Sequence, residues 1–556
     1  MSNMVDVFCV NTQRKYSYPM GTSLLDVYKD LNVPLNGKPF VVQVNNVTRD
    51  LKFKIYNPKR IEFQSNDVPA GRRAYVRSLS FILCKAFYTL FPGDAEIRLD
   101  HPIANGYYCK LLRSDQKITT ELTERIKAEM RKIIAMDYPF VMRMIPTEEA
   151  IAAFEKRGAT DVSLLLKSLG ELYTKVYELD GLMDWYIGPL APSTGYVDVF
   201  DLTPYKDGMF LRVPDRKDTK KLSEEVNQDK LFGTFSEYTE WNEIMGLSNV
   251  GNMNSLIQKK RVMSDVIKIA EALQEKKITK IADDICERGT VKLVLVSGPS
   301  SSGKTTFSKR LSIALAVNGR RPTPLSMDDY FVSRDKTPRD EHGDYDFESL
   351  YALDLELFND HLKKMLAGEE VSLPTFNFET GQREYRGNTI KLGPNDILVV
   401  EGIHALNPTL TSEIPSERKF KVYVSALTTI SFDNHNWIPT TDNRLLRRII
   451  RDYKYRGYSA LDTISRWPKV NAGEEKWIFP YQENADAMFN SALIFELSVL
   501  KKFAEPILSE VPQNCVEYSE VHRLQNFLKY FSPIQETEIP FTSLLREFLG
   551  GSTFSY

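Results

Sequence analysis

The chain has 556 residues, with 72 lysines and arginines against 74 aspartates and glutamates, a formal net charge of −2, 42% hydrophobic residues and 26% charged ones. That length exceeds what one hydrophobic core supports, so about three or four domains are expected. The composition excludes a disordered or fibrous chain, and the charge balance excludes a whole-protein field that would draw it to nucleic acid or membrane.

Five cysteines, Cys9, Cys84, Cys109, Cys286 and Cys515, are scattered without a CxxC pair. This usage fits reduced structural thiols in a cytoplasm rather than a disulfide framework or a zinc cluster. No stretch approaches the roughly 18 apolar residues of a membrane helix, so a cytoplasmic protein without a membrane partner is expected.

In residues 1–65, Val5–Val10 reads as a strand, 11–14 as a turn and Lys15–Pro19 as a second strand. Ser23 should cap a helix beginning at Leu24, and Val41–Val44 followed by Asn45-Asn46 returns to strand and turn. That order predicts a small β-grasp module. Residues 66–245 mix helix and strand in an α+β domain, with Leu122, Ile126, Met130, Ile133 and Ile134 at helical spacing. Residues 246–290 read as a helical connector with one apolar face, Val262, Val266, Ile267, Ile269, Ala270 and Leu273, broken at Lys276-Lys277 and at Glu287-Arg288-Gly289. Residues 291–556 alternate buried strands with helices, as in an α/β fold with a parallel sheet, and end in a helical extension. The expected fold class is therefore multidomain, α/β together with α+β.

The strand Val291–Val296 runs into Gly298-Pro299-Ser300-Ser301-Ser302-Gly303-Lys304-Thr305-Thr306, which satisfies the GxxxxGK[ST] pattern of a phosphate-binding loop. Such a loop turns successive backbone N–H groups toward a polyphosphate at a helix N-terminus, where the helix dipole favours negative charge. Lys304 should reach the β- and γ-phosphates of ATP or GTP, and Thr305 should place its hydroxyl on Mg2+.

The acceptor side must be read further along. Asp328 and Asp329 follow a strand ending near Ser326, beside Tyr330 and Phe331. A carboxylate there can take the proton of an attacking hydroxyl, which makes Asp328 the candidate general base, although an aspartate capping the following turn is the competing reading. The segments 343–348, with Tyr345 and Asp346, and 374–378, with Phe376 and Phe378, mix rings with polar groups, as a base-and-ribose site would. Core packing accounts for such rings equally well. The strand Ile397–Val400 ends in Glu401, the place for a carboxylate that orders magnesium. Arg444, Arg447, Arg448 and Arg451 line one predicted helix, where they would close over the transferring phosphate, Arg447 among the catalytic groups; a solvated basic face is the alternative.

Taken together, the loop, Ser326-Met327-Asp328, Tyr345-Asp346, Pro374 to Arg383, Glu401-Gly402 and Arg444 to Asp452 resemble the uridine kinase and phosphoribulokinase family over roughly residues 290–500. The resemblance implies a magnesium- and ATP- or GTP-dependent transfer to a nucleoside 5′-hydroxyl. It makes Asp328 the catalytic aspartate, Asp346 a ribose ligand, Phe376 a neighbour of the base and Arg383 a polar contact. Where uridine kinases carry a histidine that reads the pyrimidine, this chain has Gly381, which leaves the base open. A sugar-phosphate kinase of the phosphoribulokinase type is the nearest alternative.

Residues 1–245 resemble the N-terminal part of threonyl-tRNA synthetase, its TGS β-grasp domain followed by the editing-type domain, on Gly188-Pro189-Leu190-Ala191-Pro192-Ser193-Thr194-Gly195 and on weaker support from Leu90-Phe91-Pro92, 105–108 and 121–135. At the positions of that domain's polar editing cluster stand Arg77, Phe81, Tyr186 and Leu190. Phenylalanine and leucine neither accept a proton nor ligate a metal, so no editing activity is expected. A nucleotide-sensing regulator that contacts RNA is the less favoured alternative, since the basic excess of residues 1–65 is mild. The sequence does not fix the oligomeric state, and a homo-oligomer is compatible with it.

Overall fold

The computed structural model describes residues 4–93, 96–341, 343–377 and 380–555. Phe378 and Glu379, two of the residues around the expected base site, lie outside them.

Met4–Cys9 and Arg14–Pro19 pair as an antiparallel hairpin, and Met4–Cys9 also pairs in parallel with Lys59–Gln64. With Val41–Val44 and Val47–Arg49 they complete a five-stranded sheet under the helix Leu24–Asp30. Ser23 caps that helix, its side chain accepting from the Asp26 N–H. Asn45 and Asn46 stand at φ +49° and +61°, the left-handed pair that a two-residue hairpin turn needs. The β-grasp order expected from sequence is the order observed.

Next come the long helix Pro69–Leu90 and two antiparallel sheets. One has four strands in the order 201–205, 208–212, 106–112, 96–103, and the other has three, 182–184, 173–179, 141–146. The helix Thr120–Ala135 buries Leu122, Ile126, Met130 and Ile133, while Ile134 lies on its flank.

The 246–290 segment departs from its sequence reading in two ways. The helix Lys260–Glu287 runs unbroken through Lys276-Lys277 and ends only before Gly289, at φ +68°. Val262 and Ile269 face solvent, and the buried face is Met263, Val266, Ile267, Ala270, Ile278, Ile281 and Ile285. Six apolar residues within twelve positions had suggested a wider stripe than one helix face can bury.

The last sheet is wholly parallel, in the order 321–326, 396–401, 293–297, 419–425, 487–490. Its central strands are apolar without alternation and buried on both faces by helices, among them Lys304–Val317 and Thr440–Tyr455. The first two sheet systems and this one are not loosely tethered. Segment 431–437 of the parallel-sheet half reaches into the front half, where the Leu99 N–H donates to Asn434 O at 2.8 Å and the Asn436 side chain donates to Trp185 O at 2.9 Å. No described helix is long and apolar enough to cross a membrane.

Candidate active site

The loop leaves the central strand at Ser297. A Cβ on Gly298 would stand 2.0 Å from Val424 O, so no other residue fits between the adjacent strands' ends. Ser301 and Gly303 take left-handed backbone at φ +57° and +84°, and alternation of this kind turns amides to one side as an anion nest. Lys304 opens the following helix, its ammonium donating to Gly298 O at 2.9 Å and Pro299 O at 3.1 Å. Burial pulls that ammonium below its usual value, and Glu401, Asp328, Glu547 and Glu474 push it back up.

Thr305 Oγ1 donates to both oxygens of Glu401, at 3.0 and 3.1 Å. Glu401 ends its strand beside the loop, and burial raises its carboxyl to about 7, with Lys304 opposing and Asp328 and Glu547 reinforcing. A hydroxyl and a carboxylate so placed are hard oxygen donors of the kind Mg2+ takes. Asp328 sits in a one-turn helix, Met327–Tyr330, whose cap is Ser326: the Asp328 N–H donates to Ser326 Oγ at 3.2 Å. The aspartate therefore does not cap the turn itself. The residue is exposed to solvent, and desolvation by its neighbours raises the carboxyl's pKa while Lys304, Arg456 and Arg451 pull it down.

Arg444 and Arg447 lie buried against the loop's backbone rather than over it. Arg444 donates to Ser300 O at 3.0 Å and pairs with the fully buried Glu474, which in turn accepts from the Ser300 N–H at 2.8 Å. Arg447 is wholly enclosed; it donates to Glu496 at 3.0 and 2.6 Å, to Ser491 O at 3.0 Å and to Ser301 O at 3.4 Å. This corrects the expectation of Arg447 as a lid group: all of its reach is spent on buried partners. Arg448 donates to Ser300 Oγ at 2.8 Å, and Arg451 pairs with Asp452 at 2.8 Å.

Among the expected acceptor contacts, Tyr330 is corrected to core. It has no exposed surface, its hydroxyl meets His361 Nδ1 at 3.1 Å and its ring packs on Phe358. Phe376 is half-buried against Phe331, and its N–H donates to Asp329 at 3.3 Å. Tyr345 lies under the Arg339 guanidinium at 4.3 Å, with the half-buried Asp346 beside it. Arg383 is committed to Asp354 at 2.9 Å. Gly381 stands at φ +69° with Arg334 Nε only 2.8 Å from where a Cβ would be, so a histidine could not replace it without moving that arginine.

Sequence reasoning missed Glu348, Glu474, Arg456 and Glu547. Burial and the neighbouring Glu474 push Glu348 up to about 7, and a Cβ on Gly473 would come within 2.4 Å of Glu348 Cβ. No motif marks these residues; each acts through a contact that only the fold creates.

In the front half, Phe81 is fully buried between Phe140 and Tyr186, with ring centroids at 5.8 and 5.2 Å, and Leu190 is buried nearby. Arg77 donates to Pro189 O at 3.0 and 3.2 Å.

A glycine loop on a parallel sheet, with its lysine, threonine and strand-end acid in contact, defines a P-loop phosphotransferase. Residues 293–495 match the model of the Phosphoribulokinase / Uridine kinase family, and the chain carries a kinase domain of that family at this place. A uridine kinase of Staphylococcus haemolyticus is 29% identical over 196 residues, 35% of this chain and 84% of its own length. The N-terminal region matches threonine–tRNA ligases, among them that of Acetivibrio thermocellus, 31% identical over 186 residues, 33% of this chain. The chain spans 29% of that ligase's length, under a third of the whole enzyme. A solved structure described as a possible uridine kinase from Bacillus stearothermophilus is 21% identical, covering 38% of this chain and 98% of its own, at a TM-score of 0.26.

Proposed function

We propose that the chain transfers the γ-phosphoryl group of ATP or GTP to the 5′-hydroxyl of a nucleoside. The observation that carries this reading is the grouping of Lys304, Thr305, Glu401 and a solvent-facing Asp328 around one phosphate loop. Gly298 to Thr306 would cradle the triphosphate, and Lys304 would exchange its bonds to Gly298 O and Pro299 O for phosphate oxygens. Thr305 and Glu401 fit Mg2+, directly or through its waters, and that ion would neutralise charge between the β- and γ-phosphates.

Asp328 then accepts the proton as the hydroxyl oxygen attacks the γ-phosphorus and the bond to the β–γ bridging oxygen breaks. A carboxylate whose pKa stands above the ordinary range is the better base near neutral pH. Arg444 and Arg447 hold the loop from below, and Arg448, Arg451 and Arg456 supply positive potential at its mouth. Tyr345, Asp346 and Phe376 are the proposed walls of the nucleoside site. The front half serves as a noncatalytic accessory, its former polar cluster filled by Phe81 and Leu190.

Incubating the purified chain with radiolabelled ATP or GTP, magnesium and a panel of nucleosides and sugar phosphates tests the reading. Label on a nucleoside 5′-oxygen is the expected result; label confined to a sugar phosphate would refute the acceptor.

A further inference from the structure

The first amides of a helix have no partner within it, and in the helix after the phosphate loop one of them is taken by a carboxylate 241 residues away in sequence. The Thr306 N–H donates to Glu547 Oε2 at 3.2 Å, and the Thr306 hydroxyl donates to the same oxygen at 2.6 Å. Among the described residues Glu547 forms no salt bridge; the two bonds to Thr306, with the attraction of the nearby Lys304 ammonium, hold its carboxylate.

The backbone behind it is fixed. Leu544, Leu545 and Phe548 are fully buried, and Arg546 donates to Glu536 O and Ile539 O at 2.8 and 2.6 Å. Leu544 Cδ2 lies 2.4 Å from where a Cβ on Gly303 would stand, so this segment packs directly on the loop. The Glu547 side chain is half-buried, and it can leave Thr306 by rotation about its own bonds alone. Glu474 differs: it is fully buried and paired with Arg444, so its bond to the Ser300 N–H is a permanent part of the loop's shape. Residue 547 also lies beyond the 293–495 span of the family match, so this carboxylate is brought to the loop by the C-terminal extension.

We propose that Glu547 sets the chain's affinity for its phosphoryl donor as a side-chain gate: its carboxylate holds the Thr306 amide and hydroxyl until a donor phosphate displaces it. The proposal rests on the reading of the loop as the donor site. A carboxylate and a phosphate oxygen cannot share one amide at the positive end of a helix, so binding requires the rotated state, and the apparent dissociation constant is the intrinsic one divided by the fraction of chains in that state. A charge-assisted bond of this kind favours the closed state by about tenfold or more.

The test compares wild type, Glu547→Gln and Glu547→Ala in the full chain, measuring the dissociation constants for MgATP and for inorganic triphosphate by calorimetry, and KM and kcat for the donor. Lys304→Ala serves as the control for the loop, and thermal unfolding confirms that each variant folds. Both Glu547 variants should bind about tenfold tighter, with KM falling and kcat not rising in proportion. Equal binding by wild type and both variants, with Lys304→Ala binding weaker, would overturn the gate and leave the loop reading standing; so would weaker binding by the Glu547 variants. Absence of binding in wild type and both Glu547 variants would overturn the loop reading and the gate with it.

Discussion

His435 Nδ1, on the segment that the kinase half sends into the front half, lies 2.6 Å from Asp184 Oδ2, and both side chains are buried. Asp184 also binds Arg157 at 3.0 Å, and Tyr88 OH stands 3.5 Å from the other ring nitrogen. Asp184 holds the imidazolium well above the usual histidine range, against the effect of burial, and His435 and Arg157 hold the Asp184 carboxyl well below its own. The pair therefore stays charged through neutral pH. His435's share of this stabilisation is full below the unfolded histidine value of about 6.5 and is lost as pH rises through the elevated one, whereas Asp184's share is present above the unfolded aspartate value of about 3.9 and is lost as pH falls through the lowered one.

His435→Ala leaves the Asp184–Arg157 pair without its third member, and breaking a buried charged contact costs about 3–5 kcal/mol. The urea midpoint of unfolding should drop accordingly; an unchanged midpoint would show that the halves do not depend on this contact. Cys84, Asp184 and His435 present ligand atoms within 4.8 Å of one another. The Arg157 guanidinium already supplies the cation there, so prolonged chelation should leave the same midpoint where it was.

Truncation near residue 250 should yield an insoluble or unstable kinase fragment. It strips Asp161, Asp184 and Trp185 from segment 431–437 and removes part of a hydrophobic cluster that runs from Ala150 to Leu549. Expression yield and unfolding midpoint check this. A stable, fully active fragment would mean that the front half is an appendage.

Gly298→Ala should abolish nucleotide binding with the fold retained, because the new Cβ must move either Val424 O, 2.0 Å away, or the loop. Titration with MgADP reads the loss, and wild-type affinity would contradict the close approach. Arg447→Ala should act on stability first, lowering the unfolding free energy by the roughly 3–5 kcal/mol of a broken buried pair and the midpoint with it, since it strands Glu496. A kcat loss with an unchanged midpoint would restore the arginine to the lid.

The difference between those two residues shows what the sequence could disclose. Gly298, Gly303, Lys304 and Thr305 were legible because a tight phosphate loop demands those residue types at that spacing, and the pattern is local. The same holds for the Asn45-Asn46 hairpin and the Ser23 cap. Arg447 and Tyr330 were misplaced because a side chain's direction into core or cleft depends on elements packed from elsewhere, and a basic helix or an aromatic after an aspartate reads the same either way. Glu547 was invisible for a stronger reason: its partner is 241 residues distant, and nothing near it in sequence resembles a motif.

The pH profile of kcat/KM should rise through about 7 as Glu401 loses its proton, because the protonated acid cannot serve magnesium. Burial sets that value, so Glu401→Gln should remove this limb along with most activity. An ascending limb near the ordinary glutamate value of about 4.3 would contradict the buried, metal-facing acid.

The most direct measurement is single-turnover transfer of label from the donor to a nucleoside, run on wild type, Lys304→Ala and Asp328→Asn with folding verified for each. Wild type should transfer, Lys304→Ala should lose donor binding and transfer together, and Asp328→Asn should keep donor binding while its rate falls by about 10²–10⁴-fold, the span that general-base catalysis supplies. Transfer at the wild-type rate by either variant would contradict the account.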